Sequence, residues 1–295
     1  MIITPTIISL REGIEAALII AIMLSYLRKT NQLNLRKYVI YGTIVAILAS
    51  LGVAVVVGLL WGIFEGTMLN VFEGTVVLIA AILLTTMIVW MWNAGARVTQ
   101  EIEDSMESSV VKQSGIGLAL LSFSLVFREG VELSLFSMAL VIQEGIESYI
   151  GIALGLSLAI IIGIGIYKGS LRISIGSLFK WTSIFLILFA AGMIAYGIHE
   201  LQEAGLLLIG PIEVWNINPP LLPDGSYPLL HDKGAIGGLA KALFGYNGNP
   251  SALEVVAYAL YLAVAFTYLW VKQKGLNSTQ AKKTEKGIIA TVPIL

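Results

Sequence analysis

The chain has 295 residues, 57% of them hydrophobic and 13% charged, with a formal net charge of -1 and a mean hydropathy of +0.87. Soluble globular domains carry about 25% charged residues, so half that fraction, with long uncharged runs, excludes a soluble fold and places the chain in a bilayer. The absence of cysteine excludes disulfides, thiolate metal sites and iron–sulfur clusters, and two histidines, His199 and His231, are too few for haem held by paired imidazoles.

A helix that crosses a membrane needs roughly 20 mainly apolar residues. Seven segments qualify, at about residues 4–27, 38–63, 72–94, 115–142, 149–167, 181–202 and 251–271. The expected fold class is therefore all-α, a polytopic membrane protein with seven transmembrane helices. The first segment holds Arg11, Glu12 and Glu15, lacks a basic leader and is too long for a signal-peptide core, so it reads as a retained helix. The 30 glycines suit close packing of such helices.

Orientation follows from Lys and Arg placement. Arg28, Lys29, Arg36 and Lys37 follow the first segment, Lys168, Arg172 and Lys180 follow the fifth, and the tail carries Lys272, Lys274, Lys282, Lys283 and Lys286. The loops at 64–71 and 143–148 hold only acidic charges. The N-terminus is thus expected outside and the C-terminus inside, with the mixed third loop fitting weakly. The connection 203–250 is external, rich in Gly and Pro, and its stretch LAKALFGY is expected to form a short interfacial helix. Trp61, Tyr149, Trp181, Tyr268 and Trp270 fall at the interfaces and read as belt residues.

The chain contains an internal repeat. REGIEAAL at Arg11–Leu18 is answered by REGVELSL at Arg128–Leu135, in the first and fourth segments, which three crossings place in opposite directions. More weakly, MWNAGARVTQE at Met91–Glu101 aligns with MIAYGIHELQE at Met193–Glu203. The expected organisation is an inverted 3+3 repeat with halves at about 1–110 and 111–204, an external loop at 205–250 and a seventh helix at 251–271. Together these are expected to form a seven-helix transmembrane domain over 1–272, followed by a basic cytoplasmic tail at 273–295. Repeats of this kind place substrate near the midplane where the halves meet.

Charge at that depth is expensive, roughly 2.5–3.5 kcal/mol for each residue at a helix centre on insertion scales. Arg11, Glu12, Glu15, Arg128, Glu129 and Glu132 must therefore face one another or a watery cavity. Residues three and four apart share a helix face, so each motif forms one cluster, and antiparallel packing brings four carboxylates together with two guanidiniums. Gly13 and Gly130 allow a neighbouring backbone or ion to approach. Carboxylate oxygens suit hard cations such as ferric iron, magnesium, calcium or manganese. The arginines are expected to clamp carboxylates bidentately and to lower the charge of the empty site.

His199, Glu200 and Glu203 at the outer end of the sixth segment are a candidate entrance funnel, and Glu101, Glu103, Asp104 and Glu107 after the third a candidate inner exit. Glu65, Glu73, Glu144, Glu147 and Glu254 read as structural. The scattered methionines, Met87 among them, form no sulfur ladder, which argues against copper(I). Motifs for ATP hydrolysis or standard intramembrane proteolysis are lacking.

Paired R-E-G-x-E motifs in the first and fourth of seven helices resemble the high-affinity iron permease family of fungi, bacteria and archaea, the oxidase-dependent iron transporters. The resemblance covers about residues 3–270 and includes GIHELQEAG at Gly197–Gly205 and ALFGYNGNPSALEV at Ala242–Val255. It implies iron ions as the transported substrate, with Glu12, Glu15, Glu129 and Glu132 as ligands, Arg11 and Arg128 in support, and the acidic run after the third helix as an accessory iron-binding element. It implies a multi-pass protein of the cell membrane, partnered by the lipid bilayer and by an external oxidase or a periplasmic or extracellular iron-delivery protein. Neither an organic cofactor nor a nucleic acid is expected. Two other readings remain at this stage. One is transport of another divalent metal such as lead or manganese. The other is a carboxylate-bridged intramembrane metalloenzyme, against which the lack of histidine in the two motif helices counts.

Overall fold

The computed structural model describes residues 2–94, 98–111, 114–168, 175–218, 222, 227–232 and 234–289. Within them the helices are α1 Ile3–Lys29, α2 Arg36–Ile63, α3 Gly66–Ala94, α4 Val98–Val111, α5 Gly115–Glu144, α6 Ser148–Tyr167, α7 Ile175–Glu203, α8 Ala235–Phe244 and α9 Ala252–Ile289. A 3-10 turn at Leu33–Leu35 precedes α2, and the sole strand-like feature among the described residues is a bridge between Glu213 and Ser251. Arg97, Lys112, Arg172, Pro219, Pro220 and Pro223 lie outside the described residues, as does the Gly95–Arg97 stretch of the weaker repeat.

Long Val- and Ile-rich runs become helices here because a chain in hydrocarbon must satisfy every backbone N–H and C=O internally. Polar residues mark the ends. Ser114 caps α5 by accepting from the Gly117 N–H at 3.1 Å, and α5 stops at Gly145, whose φ of 90° lies in a region open to glycine. Five helices carry an apolar window long enough to cross a membrane, over Leu33–Ile63, Gly66–Trp90, Ser148–Tyr167, Thr182–Glu203 and Ala252–Lys274. α1 and α5, at 27 and 30 residues, are long enough at about 1.5 Å per residue, but the charge triplet inside each breaks up its apolar run.

Several boundaries differ from expectation. α3 begins at Gly66 rather than near residue 72, and two polar side chains in its first two turns tie it to neighbouring helices: Asn70 donates to Glu203 Oε2 at 3.3 Å, and Glu73 Oε1 accepts from Trp61 Nε1 at 2.7 Å. The third loop contains α4, whose Ile102, Met106 and Val110 recur at helical spacing and bury against α1 and α5. The helix expected at 251–271 continues to Ile289. The short helix in the external connection runs over Ala235–Phe244, slightly ahead of the stretch expected.

The most extensive pairings are α1 along α6, α2 along α5 and α3 along α7, with α1 also packed on α5. Thr6 Oγ1 donates to the Gly151 carbonyl across α1–α6, and Ser134 Oγ to the Ser50 carbonyl across α2–α5, both at 3.1 Å. The two larger of three apolar clusters lie at different levels of this packing. One gathers Ile8 of α1, Leu84 of α3, Phe136 and Leu140 of α5 and Leu186 of α7; the other gathers Met23 and Leu27 of α1, Val39 of α2, Met106 of α4 and Leu118 and Val126 of α5. Along both α1 and α5, the motif acids fall between them.

The α1–α6 seam is close enough to test. A Cβ at Gly155 would run into the Ser9 hydroxyl and the Thr6 carbonyl oxygen, whereas one at Gly58 meets nothing within 4 Å. Gly155→Leu is expected to lower stability by about 1–3 kcal/mol or more, read as a lower melting temperature in detergent, with Gly58→Leu unchanged. Equal melting of the two variants would contradict this packing.

Candidate metal-binding site

Glu12 lies about 14 Å from the start of α1, and Glu132 about 18 Å from the end of α5. Those two ends lie on one side of the bundle, because α5 turns through residues 145–147 into the start of α6, which packs on the start of α1. The motif acids therefore meet at similar depth. Oxygens of Glu12, Glu129 and Glu132 all lie within 4.8 Å of one another, the one group of three or more potential ligands among the described residues. Glu12 is 1% exposed and the two α5 acids 7% each. Glu15 is one turn further along α1 and lies outside that group; Arg11 Nε sits 3.4 Å from its Oε1.

The arginines do not form the expected bidentate clamps. Arg11 Nη1 approaches Glu12 Oε1 at 3.3 Å, and Arg128 Nε donates to Glu132 Oε1 at 3.0 Å. The second oxygens of Glu12, Glu129 and Glu132 are buried without a hydrogen-bond partner. Each guanidinium is also in contact with α3. Arg11 Nη1 also donates to Met87 Sδ, and Arg128 lies over the Trp90 ring. Neither Met87 nor Trp90 was singled out as a site residue, since an apolar helix gives no sign of which face meets a charge. Gly13 and Gly130 have equivalent tasks: a Cβ on the first would press on Ala159 of α6, and on the second on Ser50 of α2.

Buried oxygens that lack donors, held close by two helices, form a cradle for a hard cation. The chain belongs to the iron permease FTR1 family. The family model matches residues 3–280. The ferrous iron permease EfeU of Escherichia coli O6:K15:H31 (strain 536 / UPEC) is 34% identical over 266 residues, covering 88% of this chain and 92% of that protein. EfeU of Shigella sonnei (strain Ss046) matches to the same extent, and that of Yersinia pestis is 33% identical over 264 residues, with 88% and 90% covered. No solved structure matches. Family membership makes this chain a membrane permease for iron, a transporter rather than an enzyme.

The flanking candidates sit apart from the carboxylate group. At the end of α7, His199 Nε2 is 3.2 Å from Glu203 Oε1 and its Nδ1 is 3.0 Å from Glu254 Oε1. Glu200 is buried on the same helix. Glu254 forms a capping box at the start of α9, taking the Ser251 N–H at 3.1 Å while Ser251 Oγ accepts from the Glu254 N–H at 3.3 Å. Its Oε2 also accepts from Asn247 at 2.7 Å. Asn218 and Asp232 tie the same loop together: Asp232 accepts from Asn218 at 3.1 Å and from the Gly248 N–H at 2.7 Å. On the opposite side of the bundle, Glu101, Asp104 and Glu107 are exposed on α4, and Glu103 is half-buried.

Glu254 thus joins α7, α9 and the connection between them. Glu254→Ala leaves the Ser251 and Asn247 donors without their acceptor, and is expected to cost about 1–3 kcal/mol. The readout is the melting temperature in detergent, with exposed Glu65→Ala as the neutral reference.

Proposed function

We propose that this permease imports iron ions across the cell membrane through a site whose oxygen ligands are Glu12, Glu15, Glu129 and Glu132, with Arg11 and Arg128 balancing their charge. The observation that carries the reading is the meeting of Glu12 with Glu129 and Glu132, three buried acids from two helices with an undonated oxygen on each, in a chain of an iron permease family. Glu15, one turn along α1, completes the set. The relatives are named ferrous iron permeases, which favours the ferrous ion as cargo.

In this reading α1 and α5 cross the bilayer beside the five apolar helices, for seven crossings in an inverted 3+3 repeat of α1–α3 and α5–α7, with α9 added. The swapped pairings α1–α6 and α2–α5 support the repeat, as do the matching contacts of Gly13 on α6 and Gly130 on α2. The charge pattern supports an outer N-terminus and an inner C-terminus, with residues 1–272 as the permease unit and 273–295 as a basic tail. His199 and Glu203 then face the outer solution as a cation funnel with Glu200 buried beside them, and the acidic face of α4 receives the ion inside. An oxidase or iron-delivery protein would dock at the outer face. An inside-negative potential favours this direction by about 2.3 kcal/mol per charge per 100 mV.

Ferrous iron uptake into proteoliposomes tests the site. Glu12→Gln and Glu129→Gln, each folded by melting temperature, are expected to lower the initial rate at least about tenfold, the loss of roughly one good ligand interaction. Wild-type rates in both variants would remove the cluster from the transport path. Competition by manganese and lead in the same assay reads the selectivity.

A further inference from the structure

The two arginines of the paired motifs lie in different helices, yet both reach one face of a third. Met87 and Trp90 are three residues apart on α3 and so lie side by side. Arg11 Nη1 is 2.8 Å from Met87 Sδ, against 3.3 and 3.4 Å for its approaches to Glu12 and Glu15. Tight charge-assisted N–H···O contacts run at about 2.7–2.9 Å, so both carboxylate approaches are loose, and the guanidinium is in direct contact with the thioether as well. The Arg128 guanidinium carbon lies 5.6 Å from the centre of the Trp90 ring, within cation–π reach of about 6 Å. Its hydrogen bond to the motif runs from Nε to a single oxygen of Glu132.

The oxygen pattern matches. Arginine nitrogens donate to Oε1 of Glu12 and of Glu132 and approach Oε1 of Glu15 at 3.4 Å without a hydrogen bond to it, while Oε2 of Glu12, Glu129 and Glu132 receives none. A guanidinium left to a pair of carboxylates settles into a bidentate fork and occupies both oxygens of one acid. A thioether and a ring face hold the cation without neutralising it. Met87 is 2% exposed, so its contact is made away from water.

We propose that Met87 and Trp90 of α3 are positioning residues that hold Arg11 and Arg128 on uncharged acceptors and so keep one oxygen of each clustered carboxylate open to the incoming cation. The inference rests on the carboxylate site proposed above and adds two residues from outside the repeated motif. Without them the arginines close onto the carboxylates and compete with the ion for oxygen.

The test uses the full chain in proteoliposomes, with initial rates of ferrous iron uptake measured against concentration. Met87→Leu keeps the volume and removes the acceptor, and Trp90→Leu removes the ring. Each is expected to raise KM about two- to five-fold, the size of one such contact, with the maximal rate retained. Met87→Gln restores an acceptor and Trp90→Phe a ring face, so both return KM towards wild type; melting temperature in detergent establishes that each variant is folded. Unchanged KM in Met87→Leu and Trp90→Leu overturns the proposal, as does a fall in maximal rate alone that Met87→Gln and Trp90→Phe do not repair. Glu129→Gln in the same series keeps the two levels apart. Its loss of uptake beside unchanged KM in the α3 variants refutes the role of α3 alone, whereas its full activity refutes the underlying site.

Discussion

Repulsion between like charges in a dry interior is the constraint around which this molecule is built. Two unit charges 4 Å apart interact by about 4 kcal/mol at an effective dielectric near 20, and Glu12, Glu129 and Glu132 bring their oxygens within 4.8 Å of one another. Ionised acids at that spacing need nearby positive charge. The arginines provide it from within each motif, and in the proposed site a metal ion on the open oxygens would provide the rest. The arrangement also demands that α1 and α5 run in opposite directions with their acid-bearing turns level. Gly13 and Gly130 let α6 and α2 close against those turns, and the dry clusters on either side confine the polar region to a thin layer.

The two motifs are alike in sequence but not in surroundings. The Arg11 side chain is 1% exposed and sealed against α3, while that of Arg128 is 52% exposed beside Trp90. The difference comes from the third helix. α3 lies on the same side of both motifs, so it covers one arginine with Met87 and leaves the other at an open edge. A guanidinium half exposed near the middle of a long helix is costly to leave in lipid. Two copies of one motif thereby sit in different surroundings.

At the bundle ends, polar chemistry joins elements that are distant in sequence. Glu254 opens α9 with a capping box and simultaneously holds His199 of α7 and Asn247 of the preceding loop. The ALFGYNGNPSALEV stretch is thus a device for fixing the connection between α7 and α9 to the helix ends. On the other side, α4 lays its apolar stripe over α1 and α5, the two helices that carry the motifs, and turns its acids outward. Hydropathy alone passed over α4, because a short amphipathic helix averages to a polar segment.

Much was legible in the residues themselves. The apolar runs declare long helices, since no other backbone form satisfies its hydrogen bonds in lipid. The doubled R-E-G-x-E marks its own acids, since six charges in apolar helices have no use except with one another or with a ligand. What the sequence could not decide is which oxygens are taken and which stay open. That depended on Met87 and Trp90, two ordinary members of an apolar helix until α3 is packed beside α1 and α5. It depended equally on register, for a shift of one turn would leave Glu12 opposite only one of Glu129 and Glu132, with Val126 or Phe136 in place of the other. Helix identity is local and follows from composition; contact between side chains more than a hundred residues apart is set by packing, and only the folded chain determines it.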